Sequence, residues 1–135
     1  MSVFRVFGDR PEVRQVIWSG GAFAVSVTVH GNHAYVLDAL DGGSLYGYRI
    51  ADGHLTPVPG SSRRLGLDPD ATPQFTNTPG QVAFTPDGSR IPGHVLIEEA
   101  GPNALATFAL SGGALTSLGS VTVAGAAGGE GFVAL

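Results

Sequence analysis

Cysteine is absent from this 135-residue chain, so disulfides and thiolate chemistry are excluded. Charged residues are scarce at 13%, the net charge is −4, and basic residues are scattered apart from Arg63-Arg64. No basic stripe is there to bind nucleic acid or an anionic membrane. No run approaches the length of a membrane span, and the opening residues read as a strand rather than a signal peptide. Taken as it stands, the sequence predicts a cytoplasmic protein, although a longer parent could be exported. No segment carries a convincing helical period. A Gly-x-Ser-x-Gly elbow, a phosphate-binding glycine loop with its lysine and a dinucleotide fingerprint are all missing. That disfavours hydrolase-type nucleophilic catalysis and indicates no cofactor.

What the chain does have is apolar residues (43%), 21 glycines and 9 prolines, the composition of a folded protein of short strands and many turns. It also has an internal repeat. Residues Ala34 to Val58 realign without a gap onto His94 to Leu118, sixty residues later. Tyr35-Val36-Leu37-Asp38 falls on Val95-Leu96-Ile97-Glu98, and Gly53 falls on Gly113. A partial copy opens the chain, where Phe4-Arg5-Val6 stands for Tyr48-Arg49-Ile50. Repeats of this length made of short strands point to a propeller or a related array.

Strands are expected over Ser2–Val6, Glu12–Trp18, Val25–Val29, Ala34–Asp38, Ser44–Ile50 and His54–Val58, then over Gln81–Thr85, His94–Glu98, Ala104–Leu110 and Ala114–Leu118. Turns are expected at Gly8-Asp9, His30-Gly31-Asn32, Asp41-Gly42-Gly43, Asp52-Gly53 and Pro86-Asp87-Gly88. The fold class is therefore all-β, a partial β-propeller of about two and a half four-stranded antiparallel blades. Residues 1–23 form an outer half-blade, 24–61 a full blade, 62–79 a polar loop, 80–123 a second blade and 124–135 a Gly/Ala-rich tail. Propellers usually close with four to eight blades. If each uncovered flank exposes ~400 Å² of apolar area, the loss is roughly 10 kcal/mol at ~25 cal/mol/Å². That rivals the ~5–15 kcal/mol stability of a typical domain. The isolated chain is expected to be marginal or to self-associate, a homo-oligomer completing the ring.

Gly20-Gly21-Ala22-Phe23-Ala24-Val25-Ser26-Val27, Pro79-Gly80-Gln81-Val82-Ala83-Phe84-Thr85-Pro86-Asp87-Gly88 and Glu99-Ala100-Gly101-Pro102-Asn103-Ala104-Leu105 carry a resemblance. Over Ser2 to Val123 the chain resembles the lactonase family of seven-bladed propellers, which includes 6-phosphogluconolactonase-type enzymes. The resemblance implies hydrolysis of a sugar lactone, with a small sugar-acid lactone as partner. Two departures stand out. Ile91-Pro92-Gly93 joins two blade parts directly where the family would carry about another blade, and from Ala127 the tail no longer resembles it. The family's channel histidines, aligned by strand pattern, fall on Val25 and Gly80, neither of which transfers a proton. The resemblance thus carries the fold further than the activity. A non-catalytic propeller module that binds a ligand or partner, or a truncated remnant, are the competing readings.

Lactone hydrolysis needs a general base and stabilisation of the oxyanion. Asp38 and Glu98, matched by the repeat at the ends of second strands, are the candidate catalytic carboxylates, against a plainer role as turn-capping acids. Glu99 is the next choice. Arg63 and Arg64 are the candidate substrate-binding cations, against an ordinary surface pair. No metal site is expected: His30 and His33 flank a turn without further ligands, and the pairs Asp38/Asp41 and Asp68/Asp70 lack a full ligand series. Trp18, Tyr35, Tyr46 and Tyr48 are better explained by packing than by ligand stacking.

Overall fold

Alternating apolar residues broken by Gly- and Asp-bearing turns give a chain of antiparallel hairpins and no helix among the described residues. The structure is a computed structural model that describes residues 1–72, 77–84, 94–99, 104–111 and 114–122. The expected Pro86-Asp87-Gly88 turn, residues 90–93 of the junction leading to His94 and the tail from 124 lie outside them. Strands β1 (Ser2–Phe7) and β2 (Arg10–Val16) form a two-stranded sheet. A middle sheet has the order β3 (Ala24–His30), β4 (His33–Asp38), β5 (Ser44–Ala51), β6 (His54–Pro57). The short β7 (Arg63–Arg64) pairs with β5 as well. A third sheet has the order β8 (Pro79–Phe84), β9 (His94–Glu99), β10 (Ala104–Ser111), β11 (Ala114–Thr122). The fold is all-β, built of several antiparallel sheets, and no sheet closes on itself among the described residues.

The three sheets repeat one ladder. Phe4 pairs Val13, Tyr48 pairs Pro57 and Phe108 pairs Ser117, the same slot in three hairpins. Just before that slot the register shifts, between Val3 and Phe4 in the first sheet and between Thr107 and Phe108 in the third. In the middle sheet the outer strand leaves at this point and returns as β7, pairing Arg63 with Leu45 and Arg64 with Ser44. Arg63-Arg64 is thus a strand inside the segment that the sequence marks as loop. β6 and β7 together do the work of the single strand β11. Inner strands match too: β3 shifts register between Ala24 and Ser26, and β8 between Pro79 and Gln81.

The gapless sequence alignment misses one step. Asp38 lies opposite Ser44 and Ala24, and in the third sheet Glu99 lies opposite Ala104 and Pro79. Asp38 therefore shares its slot with Glu99. Glu98 stands in the slot of Leu37, opposite Gln81 and Leu105. The stretch between β9 and β10 is one residue shorter than that between β4 and β5, which a gapless comparison cannot register.

The sheets stack face to face. Tyr35, Leu37 and Leu45 of the middle sheet pack on Val82, Ala106, Phe108 and Leu115 of the third, with Leu65 and Phe84 at the margin. On its other face Ala34, Val36 and Tyr48 meet Met1 and Ile17, beside Tyr46, Ile50 and Leu55. Gln15 fastens the first sheet to the outer strand of the middle one: its Nε2 donates to Leu55 O (2.9 Å) and its Oε1 accepts from Leu55 N (2.8 Å). Between the second and third sheets Arg63 Nε donates to Leu115 O at 2.8 Å. Burial follows the stack. Tyr48 and Phe108, each under a preceding sheet, are 1% and 6% exposed, whereas Phe4 in the same slot is 53% exposed.

Candidate functional site

Asp38 ends β4 completely buried. Ser19 Oγ donates to its Oδ1 at 2.8 Å, while Oδ2 has no hydrogen-bond partner. Burial pushes its carboxyl above the ordinary 3.8, against the hydrogen bond from Ser19, the nearby positive terminus and the backbone of Gly21. A buried acid of this kind is held toward its neutral form, in which the spare oxygen becomes a donor.

What covers Asp38 is the strap Ser19-Gly20-Gly21. A side chain on Gly20, whose φ is +108, would run into the Tyr46 ring at 2.3 Å. One on Gly21 would meet Ser44 Oγ at 2.4 Å and Asp38 Cβ at 2.9 Å. Only glycines let the strap lie this close to the sheet. Beyond it, Ala39 N donates to Phe23 O (2.9 Å) and Leu40 N to Ala22 O (3.1 Å). At the near end the Tyr48 hydroxyl donates to Trp18 O. Burial, then Tyr46 and Asp38, raises the Tyr48 hydroxyl to about 12, so it stays a donor across the neutral range.

Above the strap opens a cleft of about 340 Å³. Trp18 forms one wall, its ring 5.9 Å from Tyr46, and Ser44, Ser62, Asp41 and Arg64 supply the polar groups. The volume lies within the ~300–1,000 Å³ of small-molecule sites. The lining thus offers an aromatic plate, one cation, one carboxylate and two hydroxyls.

Strand alternation separates the two arginines. Arg64 lines the cleft, with an Nη1 contact to Asp41 O at 3.4 Å. Arg63 points to the third sheet and donates to the carbonyls of Leu115, Gly60 and Ser62. Its guanidinium also lowers Tyr35 somewhat, although burial dominates and the phenol stands at about 12. Asp38 lies beneath the cleft rather than in it. Glu98 is placed one sheet away by its ladder partners, and its side chain lies outside the described residues. Val25 and Gly80, the slots given by resemblance to channel histidines, are the residues skipped where β3 and β8 shift register. Such bulges re-aim a side chain, but neither residue brings a titratable group.

Sequence reasoning missed Trp18, Ser19, Ser44 and Ser62. The signal that could have found the strap is Gly20-Gly21 directly after Trp18-Ser19, a pair that invites close approach of backbone to sheet. Among the described residues no group of three or more His, Asp or Glu converges to hold a metal ion. Comparison with protein-family models, with curated proteins and with solved structures gives no match for this chain.

Proposed function

We propose that the chain is a run of successive propeller blades that binds a small sugar acid, or a close relative, without hydrolysing it. The propeller reading draws on the ladder repeated three times in register and on sheets stacked in a constant sense, in keeping with the lactonase-like resemblance of the sequence. The binding reading rests on one observation, the cleft in which Trp18, Ser44, Ser62, Asp41 and Arg64 converge. Arg64 takes the ligand carboxylate, the indole face takes the sugar's C–H surface and Asp41 accepts from its hydroxyls. Calorimetric titration with gluconate, 6-phosphogluconate and glucose tests this. Both acids should bind, glucose more weakly, and Arg64→Ala should weaken the acids about tenfold or more, the loss of a charge-assisted hydrogen bond. Equal affinity for glucose and gluconate, or no effect of Arg64→Ala, would count against it.

Lactone hydrolysis is the second reading, favoured by Asp38 with its raised pKa and unpartnered Oδ2. In that reading the ionised form of Asp38, populated above its raised pKa, is the general base, and water must reach it past the Gly20-Gly21 strap. Hydrolysis of 6-phosphogluconolactone above the spontaneous rate, abolished by Asp38→Asn, would establish it; a rate equal to the spontaneous one would dismiss it.

A further inference from the structure

We infer that the free edge of β1, together with Val25, Val27 and Val29 of β3, is a seat for a two-stranded antiparallel segment of another polypeptide. The warrant is an internal comparison. Val27 and Val82 stand in the same slot of two inner strands, since Val27 lies opposite Val36 and Val82 opposite Ile97, each two residues past the shared register shift. Val82 is 3% exposed because β3 and β4 of the middle sheet lie over it, whereas Val27 is 58% exposed. Val25 and Val29 are open on the same strand.

The cause is the width of the first sheet. It has two strands where the middle and third sheets have four in sequence. Its strand β2 lies toward β6, and Met1 and Ile17 reach Ala34 and Val36 of β4. The cover stops there. Among the described residues β1 has no neighbour on its other side, so an unpaired backbone edge runs beside an uncovered apolar row. An edge of this kind accepts an added strand through main-chain hydrogen bonds, and apolar positions below select the side chains.

The occupied counterpart gives the chemistry of the occupant. Over Val82 lie Tyr35 and Leu37, and Ser26 Oγ accepts from Val82 N at 3.2 Å. The partner is thus an extended hairpin that carries an alternating apolar row on one strand and a small hydroxyl residue on the other. It continues an interface that the molecule already makes once, between the middle and third sheets.

The test uses the full chain and a synthetic peptide copying Ala24–Asp38, the hairpin that covers Val82. Amide hydrogen exchange is followed by NMR with and without peptide, and sedimentation gives the mass of the chain alone. Saturable slowing of exchange in Ser2–Phe7 and around Val27, with affinity reduced at least about tenfold by Val27→Lys, is the expected result. Circular dichroism and slow exchange in β4 and β5 should be unchanged in the variant, which shows that it folds. Absence of binding, or binding unaffected by Val27→Lys, overturns the proposal. A chain that is dimeric alone and monomeric as Val27→Lys overturns it in favour of a second copy as occupant. Arg64→Ala should leave peptide binding intact, which keeps this outcome separate from that of the cleft.

Discussion

Asp38 is the residue whose environment is most at odds with its charge. It is completely buried, Ser19 Oγ donates to one of its oxygens, and the other oxygen has no hydrogen-bond partner. Its pKa is raised in the fold, so between 3.8 and that raised value the folded protein holds a proton that the unfolded chain has released. By linkage, stability falls as pH rises through this window, and the loss persists above it. Asp38→Asn, neutral throughout, removes that loss while keeping an acceptor for Ser19. Thermal unfolding of both proteins from about pH 3 to about pH 8 should show wild type losing ground to the variant as the carboxyl ionises. Parallel curves would mean that Asp38 ionises as freely in the fold as in the unfolded chain.

At the level of the element, the interruption between β6 and β7 is the informative feature. The outer strand of the middle sheet leaves after Pro57, and Ser61 fills the gap it leaves. Gly47 N donates to Ser61 Oγ (3.0 Å), and that hydroxyl donates to Val58 O (2.7 Å). Val58 N in turn donates to Gly47 O at 2.9 Å. Gly47 leaves the room: a Cβ there would lie 2.7 Å from Tyr35 Cε1 and 2.9 Å from Ser61 Cβ. The third sheet, whose outer strand runs on with only a bulge, has Thr107 in the slot of Gly47. Gly47→Ala should therefore lower unfolding free energy by about 1–3 kcal/mol, the usual cost of overpacking a core. Ser61→Ala should cost a similar ~1–3 kcal/mol, because it strands a buried backbone N–H. Urea unfolding midpoints measure both, and a midpoint within error of wild type for Gly47→Ala would contradict the close approach.

Legibility follows the same division. Strands such as Val25–Val29 and Ser44–Ile50 announce themselves by alternation, and the slot match of Val27 and Val29 with Val82 and Phe84 is plain in the text. The equivalence of Asp38 with Glu99 is hidden because the stretch between β9 and β10 is one residue shorter than that between β4 and β5, and Arg63-Arg64 reads as loop because two polar residues cannot declare a strand. The cleft is harder still. Trp18 and Ser62 come from two separate connections and Ser44 from the start of β5, and nothing local says that a glycine pair will lay one across the others.

For the molecule as a whole, position in the stack governs stability. The middle sheet has a neighbour on both faces, the third sheet packs on it through one described face, and the first sheet is narrow and open on the Phe4 side. Native-state amide exchange should rank accordingly: β4 and β5 slowest, β8 and β10 next, β1 and β2 fastest. Protection of β1 equal to that of β4 would mean that the first sheet is covered by something beyond the described residues or that the chain unfolds as one unit.

One tryptophan serves the entire chain, and it stands at the mouth of the cleft with its carbonyl held by Tyr48. The protein consequently carries its own optical gauge. With Trp18 67% exposed, its emission colour is tied to a single place, and no label is required to watch that place fill or empty.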